Sequence, residues 1–205
     1  MKKTIIIASL ATGALLIASC GSTKCIEQVQ SSDHSYIDDV DDHGNITYSE
    51  VIEVGEISAE DLFTRAHTFF VYNYNSATSV IQQSDKDKNL IIGKGLWSDF
   101  YTNSAYKISA KHILRVDTKN GKARITVTVQ SVDHVSKNSK GVLTQGSYNP
   151  ADGYPFATIP KVKRIHNQNT CIAIALKSEC ENLIDRLEND LINGSTSKSL
   201  ENEGW

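Results

Sequence analysis

Apolar and polar positions divide this chain into segments of different period. Ile46 to Val54 is a β-type run. Ser58-Ala59-Glu60-Asp61 follows, close to a capping box, and predicts a helix to about Tyr74. Leu62, Ala66, Phe69 and Phe70 share one face of it. Residues 78–84 and 89–97 predict two strands around the polar turn Asp85-Lys86-Asp87-Lys88.

The sharpest local signal is Lys119-Asn120-Gly121-Lys122, a two-residue hairpin turn whose type asks for positive φ at both central residues. It sets a register in which Val116 faces Ile125, Leu114 faces Val127 and His112 faces Val129. On the other side Asp117 meets Arg124, Arg115 meets Thr126 and Ile113 meets Thr128. Apolar falls opposite apolar, so pattern and turn agree.

Residues 133–165 hold all three prolines and show no sustained period, which predicts a long irregular loop. From about 169 to 193, Ile172, Leu176, Cys180, Leu183, Ile184, Leu187 and Leu191 keep helical spacing, and Gly194 ends the run. The order is β-α-β-β-β-β-α. Two amphipathic helices cover one face of such an antiparallel sheet and leave the other open to water or to a partner.

The N-terminus has a different pattern. Lys2 and Lys3 precede an apolar stretch from Ile5 to Ile17, and Leu16-Ile17-Ala18-Ser19-Cys20 has the small residues that precede an acylated cysteine. The stretch falls short of the roughly 20 apolar residues a membrane span needs, so residues 1–19 are expected to be a cleaved lipoprotein signal peptide. Lipid at Cys20 would then be the contact with the membrane. Residues 20–45, acidic and aperiodic, are expected to form a flexible tether, residues 46–194 a single domain, and residues 195–205 a disordered tail.

Processing would leave 186 of the 205 residues, enough for one core, and would move the formal charge from −3 to −5 by removing two lysines. That balance gives no general attraction to nucleic acid, which is not expected as a partner. With Cys20 taken by lipid, Cys25, Cys171 and Cys180 remain. The last two, nine residues apart on one helix, lie about 13 Å from each other and cannot bridge, which leaves one bridge from Cys25 to either of them. No cysteine or histidine has zinc spacing, and no cofactor is expected.

Val51-Ile52-Glu53-Val54, Ser58-Ala59-Glu60-Asp61-Leu62-Phe63-x-Arg65-Ala66, Asn89-Leu90-Ile91-Ile92-Gly93-Lys94-Gly95 and the hairpin strands at 106–132 occur in that order. Together the stretch from Ile46 to Val132 resembles a family of uncharacterised bacterial envelope lipoprotein domains with a TATA-binding-protein-like fold. Phe63 stands where such domains would have Tyr. The resemblance implies an α+β fold, with a curved antiparallel sheet and both helices on one face. It implies no activity, because the family has no assigned functional residues.

Candidate chemistry is sparse. Asp39 to Glu50 fits a calcium-loop template at Asp39, Asp41, Gly44, Ile46 and Glu50, but His43 fills a ligand position and a strand follows, so a linker ending in a turn is expected. Ile92-Gly93-Lys94-Gly95 lacks the full phosphate-loop pattern, and its glycines are expected to mark close backbone contact. The six histidines are scattered, and Asp133-His134 would point to opposite faces of a strand. Catalysis is not expected.

The outer face of the hairpin is the candidate site. Lys107, Lys111 and Arg115 alternate on one strand, with Arg124, Thr126 and Thr128 across from them. Such a cationic face could take an acidic ligand or an envelope protein. The expected role is a non-catalytic binding module, anchored to a membrane of the cell envelope. The outer membrane is the expected site, and the absence of an acidic cluster directly after Cys20 favours its periplasmic side over surface export. The alternative is a carrier of a small apolar ligand, held between helices and sheet by Phe69, Phe70 and Trp97.

Overall fold

The Asn-Gly turn organises the sheet. Lys119 pairs with Lys122, and all six cross-strand pairs read from the sequence are present. The computed structural model describes residues 45–74, 77–103, 106–137, 141–148 and 163–194. The expected signal peptide, Cys20, nearly all of the expected tether and the expected tail lie outside them.

The elements are β1 (Ile46–Glu53), α1 (Ala59–Asn73), the single turn α2 (Ala77–Val80), β2 (Ile81–Asp85), β3 (Leu90–Thr102), β4 (Tyr106–Lys119), β5 (Lys122–Lys137), β6 (Leu143–Tyr148) and α3 (Lys163–Asn193). The strands form one antiparallel sheet in the order β1-β5-β4-β3-β2, with β6 also on β5. β1 takes Lys122 to Val129 of β5 and β6 takes Val132 to Lys137. β4 occupies the other edge of β5 along its length. β6 and β1 therefore lie end to end, and β6 finishes where β1 begins.

Three sequence expectations are corrected. The stretch 133–165 is not one irregular loop: β5 runs through Lys137, β6 follows at 143–148, and α3 begins at Lys163. β6 carries no alternating pattern because five of its six residues are exposed, so no buried face leaves a period to read. Residues 78–80 are helical, and the strand starts at Ile81.

The third correction concerns the hairpin turn, where Gly121 has φ of +76° while Asn120 keeps a negative φ. Tertiary contacts explain this. The Asn120 Oδ1 accepts from the Ala59 N–H at 2.9 Å. The Gly121 N–H donates to the Ile57 carbonyl, and its own carbonyl accepts from the Val54 N–H, both at 2.9 Å. A Cβ on Gly121 would lie 2.8 Å from the Gly55 carbonyl oxygen, so only glycine fits there.

α1 starts as its sequence predicts. The Ser58 side chain accepts from the Asp61 N–H at 3.0 Å, and Glu60 and Asp61 place negative charge in the first turn. Leu62, Ala66, Phe69 and Phe70 are fully buried, and so are Ile172, Leu176, Cys180 and Leu187 of α3. Both helices pack on one face of the sheet, against Ile91, Leu114, Val116, Ile125, Val127 and Val129. Each large apolar side chain so buried stabilises the fold by roughly 1.5–3 kcal/mol. Arg65 of α1 donates to the carbonyls of Leu191 and Ile192 at 2.6 and 2.9 Å, closing the C-terminal turn of α3 before Gly194.

Besides a register shift between Ile81 and Gln83 of β2, two bulges bend the sheet. Between β4 and β5 the register shifts after Lys111, leaving Gln130 unpaired, and between β3 and β4 it shifts around residues 98–100, where Asp99 has φ of +49°. The first bulge exchanges the faces of β5, so that odd-numbered residues up to Val129, and Val132 after it, are buried.

Candidate interaction face

Opposite the helices, the sheet face is uncovered among the described residues. It carries all six residues singled out from the sequence. Arg115 lies across from Thr126 and Lys107 across from Val135, while Arg124 pairs with both Asp117 and Val51. Thr126 and Thr128 continue into β1 as a ladder of hydroxyls, with Ser49–Thr126 at 2.9 Å and Thr47–Thr128 at 3.2 Å. Leu96 and Val51 are exposed apolar residues on the same face.

The charge on this face differs from the sequence reading. Each of the four basic residues has an aspartate beside it. Lys107 meets Asp99 at 2.7 Å and Lys111 meets Asp133 at 3.3 Å. Asp117 takes Arg115 through two bonds, at 2.9 and 2.7 Å, and Arg124 at 3.2 Å. The Arg115 guanidinium, helped by Arg124, lowers the pKa of Asp117, and the same contact raises that of Arg115. Lys94, beside Ile113, forms no ion pair among the described residues. The face is therefore a mosaic of paired charges and hydroxyls with a small positive excess, in place of a uniform cationic field. Sequence reasoning set Asp117 across from Arg124 but missed the other two aspartates, because Asp99 reaches the face through a bulge and Asp133 through a neighbouring strand.

On the helix side, the sequence reading left out a buried polar cluster. His112 is 1% exposed and stacks on Trp97 with ring centroids 3.8 Å apart. Its Nε2 lies 3.1 Å from the hydroxyl of Tyr74, the residue that ends α1, and its Nδ1 has no partner. Burial, reinforced by Arg186, lowers the pKa of His112 to about 4, and burial raises that of Tyr74 to about 12. The signal available in the sequence was a histidine in the inward phase of β4, between Ala110 and Leu114.

The other candidates take their places as follows. Gly93 and Gly95 are strand residues that admit side chains. A Cβ would lie 2.4 Å from the Phe70 ring at the first and 2.4 Å from His112 at the second. Their role is close packing. Asp133 points outward to Lys111 and Ser147, while His134 points inward and stacks on Tyr148. Of the calcium-like stretch, residues 46–50 belong to β1 and residues 39–44 lie outside the described residues. No group of three or more metal-ligating side chains occurs among the described residues, and no described helix is long and apolar enough to cross a membrane.

The comparisons with known proteins bear on the fold. Residues 48–132 match the family model of a domain of unknown function (DUF4468) with TBP-like fold. A TBP-like protein from Parabacteroides distasonis ATCC 8503 is similar in structure, with a TM-score of 0.55 at 18% identity, covering 74% of this chain and 96% of that one. A DUF4468 family protein from Bacteroides ovatus ATCC 8483 gives a TM-score of 0.55 at 10% identity, covering 76% of this chain and 90% of that one. Among curated proteins, none matches this sequence. The expectation of an α+β sheet with both helices on one face is met: residues 48–132 match the DUF4468 family model, and the chain has the TBP-like fold of the similar solved structures.

Proposed function

We propose that this protein is a lipid-anchored component of the bacterial cell envelope, held at Cys20, whose domain is a non-catalytic binding module that engages another envelope protein through its open sheet face. The observation that carries the reading is the face itself. Five strands, from β1 across to β2, present a continuous surface of hydroxyls and paired charges on the side opposite both helices. Solvation alone requires no such layout, whereas a polar partner surface could exchange hydrogen bonds with it.

Its mosaic charge favours a protein partner of mixed polarity. A small acidic ligand would have to take two arginines away from Asp117. Export is supported by the disulfide at Cys171, since such bonds persist in oxidising compartments. The signal pattern and Cys20 point to the outer membrane, with the domain in the periplasm. The carrier alternative fares worse. Phe69 and Phe70 are fully buried, and Phe70 fills the space above Gly93 that a ligand would need.

The test is in-cell crosslinking of the anchored protein followed by mass spectrometry, beside a Lys111→Glu/Arg115→Glu variant. One envelope partner, captured by the native chain and lost in the variant, is the expected result. Equal capture by both chains would remove this face as the site.

A further inference from the structure

A sheet covered on one side only should be polar on the other, and the outward phase of β4 reads Lys107, Ser109, Lys111, Ile113, Arg115, Asp117. Ile113 is the exception. It is half-buried and lies across from Lys94 of β3 on one side and Thr128 of β5 on the other. The register puts Ile92 and Leu96 on the same face, two residues to either side of Lys94. Both are therefore diagonal neighbours of Ile113, at roughly 7–8 Å between strands. Ile92 is half-buried and Leu96 is 55% exposed. None of the three belongs to the core that the helices cover. They form an apolar streak across β3 and β4, in the middle of the open face.

Cations ring the streak. Lys94 is across from Ile113, Lys111 from Leu96, and Arg115 from Ile92. Lys111 and Arg115 have Asp133 and Asp117 beside them, whereas Lys94 forms no ion pair among the described residues. Asp117 is also shared with Arg124, so the rim keeps an excess of positive charge. An apolar centre inside a charged rim is how proteins meet one another: a desolvated anchor supplies affinity, and the rim sets orientation and rate. Resting on the reading of the open face given above, we propose that Ile113, Leu96 and Ile92 are the centre of that interface, and that the protein engaged there presents an apolar side chain flanked by carboxylates. The apolar side chain covers the streak, and a carboxylate beside it meets Lys94. A purely ionic partner would leave the streak in water, and an uncharged one would leave Lys94 unanswered.

A photo-reactive benzoylphenylalanine in place of Thr126, across from Arg115 at the rim, tests this in the full chain, irradiated in isolated cell envelopes. One protein adduct is expected, and it should survive about 1 M salt, where charges are screened beyond about 3 Å. Leu96→Ser and Ile113→Thr should each lower its yield roughly tenfold or more, the effect of withdrawing a large apolar side chain from a buried contact, while thermal unfolding stays near that of the parent. Mass spectrometry of the adduct should join position 126 to a segment in which an apolar residue has Asp or Glu beside it. An adduct that Leu96→Ser and Ile113→Thr leave unchanged but Lys111→Glu/Arg115→Glu removes, or one lost in 1 M salt, overturns the apolar centre and leaves the open face standing as the site. Equal adducts from all of these chains, or none from the parent, overturn the face and this inference together.

Discussion

The β4–β5 hairpin presents two faces from the same two strands in the same register, and they have different physics. On the helix side Leu114, Val116, Ile125, Val127 and Val129 are buried to 1% exposure or less. On the open side the residues between them, Lys111, Arg115, Asp117, Arg124, Thr126 and Thr128, pair with one another or with neighbouring strands while remaining in contact with water. Apolar burial contributes kilocalories per side chain, whereas an exposed ion pair contributes about 0.2–1 kcal/mol. Alternation by a single residue thus separates the part of the hairpin that holds the fold from the part free to serve a partner.

The largest break in that comparison should come from the helix side. Phe70→Ala removes a ring that packs on Gly93, lies edge-on to Phe69 and stacks on Tyr74. A loss of about 3–5 kcal/mol is expected, read by denaturant unfolding. A loss below about 1 kcal/mol would mean that the helix layer is not what holds the sheet.

A smaller break comes with acid. His112 keeps its neutral form in the fold, with a pKa near 4 against 6.5 for a free histidine. Between those values the unfolded chain binds a proton that the folded chain does not. The contribution is complete above pH 6.5 and is lost as pH falls toward 4, to a total of about 3 kcal/mol. His112→Phe keeps a ring against Trp97 and should flatten the stability profile between pH 6.5 and 4. An unchanged slope would assign the acid sensitivity to other groups.

Legibility in the sequence follows the range of the forces involved. The hairpin register was readable because Asn120-Gly121 and eight alternating residues on each side are local. The start of α1 was readable from Ser58 and Asp61, and α3 from its seven apolar positions, all of which are buried. β6 was not, since Leu143 to Tyr148 pairs with β5 through its backbone while its side chains stay mostly in water. The negative φ of Asn120 depends on Ala59, 61 residues away, and the setting of His112 depends on Gly95, Trp97 and Tyr74. All six predicted face residues do share the open face. Asp117 was readable across from Arg124 in the hairpin register, but Asp99 and Asp133 required bulges and a strand order that no local pattern states.

The smallest expected effect is the most diagnostic for the open face. Asp117→Asn removes the carboxylate that holds Arg115 and Arg124 together, on a surface where screening by water is strong. Stability at neutral pH should fall by no more than about 1 kcal/mol. The lowered pKa of Asp117 means that its contribution is present above the ordinary carboxylate range and disappears as acid protonates it, so the native chain and the variant should converge in stability at low pH. The larger change should appear in binding. Two arginines freed from their internal partner make the face more cationic, and capture of a partner that presents carboxylates should become stronger and more sensitive to salt. If Asp117 instead contacts the partner directly, the same substitution should weaken capture while leaving stability just as little changed. One carboxylate thus distinguishes a face whose aspartates only restrain its cations from one whose aspartates are themselves part of the recognition surface.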